Sequence, residues 1–169
     1  MFDPALLDKA ETLLQSMRRR RLKLATAESC TGGLIAGLLT EIAGSSDVVE
    51  RGFVVYSNEA KTGLLGVPED VIAHYGAVSE VTARMMAEGA LKNSLADIAV
   101  SVTGIAGPGG GSPEKPVGLV HFACASHHGL TAHRRLVFAK ASRHDVRMKS
   151  AVAALDLLEA QLGTATRLA

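Results

Sequence analysis

Ser29 and Cys30 stand side by side in residues Thr26 to Gly33, Thr-Ala-Glu-Ser-Cys-Thr-Gly-Gly. This run of small residues joins an apolar stretch (Leu22, Leu24, Ala25) to a helical one (Leu34, Ile35, Leu38, Leu39). A strand feeding a glycine-loosened turn and then a helix start points backbone N–H groups outward and favours negative charge. A nucleophile there has an oxyanion site beside it, which is the requirement of acyl transfer. The same hydroxyl can instead serve the turn, by bonding to backbone or capping the helix that follows. Cys30 is the rival nucleophile, yet no histidine lies near it in sequence to activate it, and an inert thiol is the expectation.

Two further segments carry chemistry-bearing side chains. Tyr56-Ser-Asn-Glu-Ala-Lys61 leaves a strand end and enters a short helix, so Tyr56 and Lys61 overlook the sheet's edge. A lysine becomes a base when desolvation lowers its pKa, and a nearby phenol can orient the proton; otherwise the pair is a solvated helix start. The third segment, Thr103-Gly-Ile-Ala-Gly-Pro-Gly-Gly-Gly-Ser112 with Lys115 after it, is a glycine-rich loop. Its N–H groups can form an anion nest suited to phosphate. It runs from strand toward strand, unlike the dinucleotide fingerprint that opens a helix, and it lacks the Gly-Lys-Ser/Thr ending of a P-loop. A flexible connection is the competing reading.

Composition narrows the classes. The chain has 169 residues, 47% of them apolar, enough for one core and one domain over residues 1–169. The 18 basic and 17 acidic residues nearly balance, so no global field directs the chain to nucleic acid or membrane. The basic run Arg18 to Arg21 reads as a helix C-terminus, with no aromatic residues interleaved to stack bases. No apolar run reaches the roughly 18 residues of a membrane span. The start Met-Phe-Asp-Pro lacks the features of a secretory signal, so cytoplasmic residence is the expectation. Cys30 and Cys124 are too few for a disulfide framework or thiolate cage. His74, His121, His127, His128, His133 and His144 form no helical His-x-x-x-His pair or Cys/His cluster, so no metal is expected.

The elements that must position these residues follow from periodicity and punctuation. Asp3 and Pro4 open a helix that ends near Arg18 to Arg21, with apolar positions from Leu6 to Met17. A strand over about 22–26 leads through the Glu-Ser-Cys-Thr turn into a helix over about 32–42. Gly52 to Tyr56 reads as a buried strand. Short helices follow near 58–65 and 68–75, and Ser79 caps a longer one reaching about Leu95. Strands are expected near 98–102, 117–125 and 130–139, the last two forming an antiparallel hairpin through His127-His128-Gly129. Ser142 and Asp145 form a capping box for a final helix to about Leu162 before Gly163, with a frayed tail over 164–169. Alternation followed by a strand cluster predicts an α/β fold, a three-layer α/β/α sandwich with a mixed sheet.

Taken together, Thr26 to Gly33, Val54 to Lys61, and Thr103 to Ser112 with Lys-Pro-Val-Gly at 115 to 118 resemble the bacterial CinA C-terminal domain family. The resemblance covers nearly the whole chain and implies that family's fold. It also implies hydrolysis of nicotinamide mononucleotide to nicotinate mononucleotide and ammonia in pyridine nucleotide salvage, with no cofactor. By motif it makes Ser29 the nucleophile, with Tyr56 and Lys61 as catalytic partners, and adds Ser46 and Thr103 as polar site positions. The turn residues Glu28, Cys30, Thr31, Gly32 and Gly33 would line the substrate, with N–H groups near Cys30 to Gly33 receiving the oxyanion. Gly104, Gly107, Gly109 and Gly110 would hold the 5′-phosphate, helped by Lys115 or Arg143. Arg143 follows Ala141-Ser142, where the family often has glycine and an acidic residue, so its role is the least secured by the motif. Longer family members carry an N-terminal domain for which 169 residues leave no room. Exposed apolar helix faces make a homo-oligomer the expected state. The rival readings are a non-catalytic nucleotide-binding or regulatory module, linked to the family's competence and DNA-damage naming, and a structural partner domain.

Overall fold

A computed structural model describes residues 2–127 and 129–165. Asp3 accepts a hydrogen bond from the Leu6 N–H (2.8 Å), and Pro4 fills the first helical position, so helix α1 (Pro4–Arg19) starts where the cap requires. Strands β1 (Leu24–Glu28), β2 (Val49–Val54), β3 (Ile98–Gly104), β4 (Leu119–Ser126) and β5 (Ala132–Val137) form one sheet in the order β2-β1-β3-β4-β5. β2, β1 and β3 run parallel; β4 is antiparallel to β3, and β5 to β4. The mixed sheet lies between two helical layers, which is the expected α/β/α sandwich.

The layers differ in side-chain size. On one face, α1, α2 (Leu34–Thr40) and α6 (Arg143–Ala165) bury Leu13, Leu14, Ile35, Leu38, Leu155 and Leu158 against Leu24, Val100, Val102 and Phe122. On the other, α3 (Asn58–Leu65), α4 (Glu69–Tyr75) and α5 (Glu80–Lys92) face Ala25, Ala27, Ala99, Ala123 and Ala125. Small strand residues let α5 lie close to the sheet, through Ala83, Ala87 and Ala90. Gly89 continues this close packing: a Cβ there would run into the Leu65 carbonyl at the end of α3.

Several boundaries differ from the sequence expectation. β2 begins at Val49 rather than Gly52, because pairing with β1 (Leu24 with Val49, Glu28 with Val54) sets its start and an edge strand needs little apolar content. A short 3₁₀ turn at Ser45–Asp47 precedes it. α5 stops at Lys92, whereas α6 runs through Gly163, which keeps a negative φ and forms no left-handed cap. The tail expected to fray is helical at 164–165, and 166–169 lie outside the described residues. His128 of the expected hairpin turn also lies outside them, although β4 and β5 pair as an antiparallel hairpin. Among the described residues, no helix is long and apolar enough to cross a membrane.

Candidate active site

β1 ends by sending consecutive side chains to opposite faces. Glu28 turns toward α2, where its carboxylate accepts from the N–H groups of Gly33 (3.1 Å), Ile35 (3.0 Å) and Ala36 (2.8 Å) and from the Thr26 hydroxyl (3.3 Å). It thereby satisfies the orphan donors of a helix whose own N-cap, Gly33, has no side chain to do so. Glu28 was expected to line the substrate; its carboxylate is instead buried and fully engaged within the chain.

Ser29 turns the other way, toward α3. Its N–H extends the β1–β3 ladder to the Val102 carbonyl (3.0 Å), which fixes the backbone of the turn. Lys61, in the first turn of α3, brings its Nζ 3.1 Å from the Ser29 Oγ. The helix is started by Ser57, whose hydroxyl accepts from the Ala60 N–H at 3.0 Å. The amine folds back over that start and donates to the Val55 carbonyl at 2.9 Å, with the Tyr56 and Ser57 carbonyls at 3.4 Å. Lys61 is 1% exposed and Ser29 8%. Among the described residues no carboxylate pairs with the amine, and burial holds its pKa below the ordinary lysine value. Burial also pushes the neighbouring Cys30 thiol up to about 12, so the resting thiol is protonated and a poor nucleophile.

A cleft of about 290 Å³ opens beside this pair, bounded by Ser29, Cys30, Tyr56, Lys61, Thr103 and the glycine loop. Gly104, Gly107, Gly109, Gly110 and Arg143 line it as well. Gly107 adopts φ +81°, and a Cβ there would collide with Val117, so the loop's course across the cleft demands glycine. The Thr103 hydroxyl donates to the Ala77 carbonyl (2.7 Å), tying the end of β3 to the segment before α5. Arg143 reaches over from the start of α6, donating to the Gly107 carbonyl (3.0 Å) and the Tyr56 phenol oxygen (2.9 Å). The Tyr56 phenol, expected beside Lys61 and Ser29, thus bonds to Arg143 at the cleft mouth, and the residue is 59% exposed. Only its backbone carbonyl approaches the amine.

The N–H groups of the turn divide into two sets. Those of Gly32 and Gly33 are engaged, by the Ser29 carbonyl (3.0 Å) and the Glu28 carboxylate (3.1 Å). Among the described residues, those of Cys30 and Thr31 donate to no backbone carbonyl. The expected oxyanion donors therefore narrow from four residues to these two.

Two other expectations are corrected. Ser46 lies in the 3₁₀ turn ahead of β2, next to the start of β1, a full strand length from Ser29. Lys115 does not line the cleft: its amine donates to the Tyr75 carbonyl (2.7 Å) at the C-terminus of α4, where a cation complements the helix dipole. Conversely, Asn58, Ala77, Val78 and Ile105 line the cleft without having been singled out. Asn58 immediately follows the Ser57 cap, a signal that could have found it. Ala77, Val78 and Ile105 are apolar wall with no such mark.

This fold and cleft define an α/β sandwich that sets a serine hydroxyl against a buried amine at the carboxyl ends of its parallel strands. The chain belongs to the CinA C-terminal domain family, whose model matches residues 7–162. It is 50% identical over 158 residues to the nicotinamide-nucleotide amidohydrolase PncC of Escherichia coli K12, covering 94% of this chain and 95% of that protein. It is likewise 50% identical over 157 residues to a CinA-like protein of Akkermansia muciniphila, but spans only 37% of that longer relative. Among solved structures, the competence/damage inducible protein CihA from Agrobacterium tumefaciens superposes with a TM-score of 0.94 at 49% identity, covering 96% of this chain and 98% of that one.

Proposed function

We propose that this chain is an amidohydrolase that converts nicotinamide mononucleotide to nicotinate mononucleotide and ammonia in pyridine nucleotide salvage, with Ser29 as nucleophile and Lys61 as base. The observation that carries the reading is the 3.1 Å approach of a desolvated amine to a hydroxyl in a cleft walled by a glycine loop. The 50% identity to the E. coli amidohydrolase, over nearly both chains, supports the substrate class.

In this mechanism Lys61 rests neutral and accepts the Ser29 proton as Oγ attacks the carboxamide carbon. The carbonyl π electrons move to oxygen, and the oxyanion is received by the N–H groups of Cys30 and Thr31. Collapse of the tetrahedral intermediate breaks the C–N bond, and Lys61 returns the proton so that ammonia leaves. Water then attacks the acyl-enzyme, Lys61 accepts its proton, and the Ser29 oxygen departs and is reprotonated, freeing the carboxylate product. The 5′-phosphate lies against the glycine loop near Arg143, and binding there positions the distant amide.

Purified protein incubated with nicotinamide mononucleotide should release ammonia stoichiometrically with nicotinate mononucleotide, and Ser29→Ala should release none while still binding the nucleotide. Undiminished turnover by Ser29→Ala rejects the nucleophile. A nucleotide-dependent rise in melting temperature without ammonia favours the binding-module reading instead.

A further inference from the structure

Arg147 lies one turn beyond Arg143 on α6, outside the residues that line the cleft. Its Nη2 donates to the Thr31 carbonyl at 2.8 Å, an oxygen that also accepts from the Leu34 N–H at 3.2 Å. The guanidinium lies along the turn closely enough that a Cβ on Gly32 would sit 3.7 Å from Nη2. The Thr31 carbonyl belongs to the peptide whose N–H, that of Gly32, donates to the Ser29 carbonyl. One side chain therefore holds the peptide that closes the nucleophile's turn, and with it the direction in which the Cys30 and Thr31 N–H groups point.

The Arg147 Nε, the Thr31 hydroxyl and the hydroxyl of Ser150, one turn further along α6, are buried with no hydrogen-bond partner among the described residues. Buried polar groups in folded chains are rarely left unpaired, and a functional role is one physical reason for such a group. The guanidinium's charge also bears on the turn: Arg143 and Arg147 both favour an anion at Cys30, although burial outweighs them.

We propose that Arg147 is a positioning residue for the oxyanion site. Through the Thr31 carbonyl it fixes the turn that aims the Cys30 and Thr31 N–H groups at the developing negative charge, and it adds a fixed positive charge behind them. This rests on the Ser29 nucleophile reading above, but not on the identity of the substrate.

The test uses Arg147→Met with two acyl donors. One is nicotinamide mononucleotide; the other is p-nitrophenyl acetate, whose transfer to Ser29 passes through the same tetrahedral oxyanion without nucleotide recognition. For both, kcat should fall at least tenfold with KM changed less than threefold, and Arg147→Lys should recover most of the loss. Should Arg147→Met lose its fold, as read by circular dichroism, Arg147→Gln carries the same expectation. A folded variant with kcat within twofold of wild type on the ester overturns the inference. If the wild-type protein acylates Ser29 with the ester yet leaves the nucleotide untouched, the substrate assignment fails while the role of Arg147 is still decided. If the wild-type ester reaction survives in Ser29→Ala, both fail together.

Discussion

The Lys61 amine lies 3.1 Å from the Ser29 hydroxyl across 32 residues of sequence, because parallel pairing of β1 with β2 brings the exits of both strands to one end of the sheet. Lys61→Met should lower kcat by roughly 10²–10⁴-fold, the range of a positioned proton acceptor. Lys61→Arg should do no better, since a guanidinium stays protonated. With Lys61 as the proposed base the active amine is the neutral form, so kcat/KM should rise with pH and level off above an apparent pKa below the ordinary lysine value, as burial dictates. A profile with its limb at or above that value, from initial rates across pH, would contradict a desolvated base.

Glu28 should matter as an anchor. Glu28→Ala leaves three N–H groups at the start of α2 without their acceptor and should cost at least about 2 kcal/mol in chemical denaturation. Glu28→Gln, retaining one carbonyl acceptor, should fall between it and wild type.

Gly89 and Gly37 form a matched pair of helical glycines. At Gly37 a Cβ meets nothing within 4 Å, so Gly37→Ala should stabilise by about 0.5–1 kcal/mol. At Gly89 the added carbon meets the Leu65 backbone, so Gly89→Ala should destabilise by about 1–3 kcal/mol despite alanine's better propensity. It should also slow turnover, because the helix pushed away is the one that carries Lys61. Thermal denaturation and initial rates on both variants test the contrast.

His121, 7% exposed, stacks on His133 with ring centroids 5.2 Å apart, and its Nδ1 shares a hydrogen bond with the His133 Nε2 at 3.0 Å. Besides His133, Arg135 of β5, Glu80 of α5 and Lys115 supply the charges that act on it, while Glu80 and Arg84 act on His133. Burial first, then His133 and the Arg135 and Lys115 cations, hold the His121 pKa at about 4 against the opposing Glu80 carboxylate. The folded state therefore binds its proton later than the unfolded chain does, and stability declines as pH falls from about 6.5 toward 4. Between pH 7 and pH 5 this group should remove about 2 kcal/mol. Urea denaturation at the two values measures it, and His121→Phe should shrink the difference.

Much of the architecture was legible because caps and periodicity were strong: Asp3, Ser79 and the Ser142–Asp145 box each start a helix where expected. The motif segments were legible because each is contiguous and sits at a strand exit. Ser46 was misread for a topological reason. In a β-α-β unit, helix-to-strand connections gather at the end of the sheet opposite the strand-to-helix connections, so a polar residue ahead of β2 faces away from the cleft. Glu28 was misread because its donors lie five to eight residues ahead, outside the three-residue spacing of a capping box. Lys115 was misjudged from proximity in sequence to the glycine loop, whose folding carries it to Tyr75. Arg147 carried no local mark, since its partner is 116 residues away.

The alternation at the end of β1 puts anchor and reagent on adjacent residues. Inserting one residue in that strand would aim the Glu28 carboxylate at the Lys61 amine and leave an alanine facing the bare start of α2. The amine would then gain a counter-ion and stay charged, while the helix would lose its tether. Assembly and reactivity thus fail from a single slip, and β1 tolerates no such insertion.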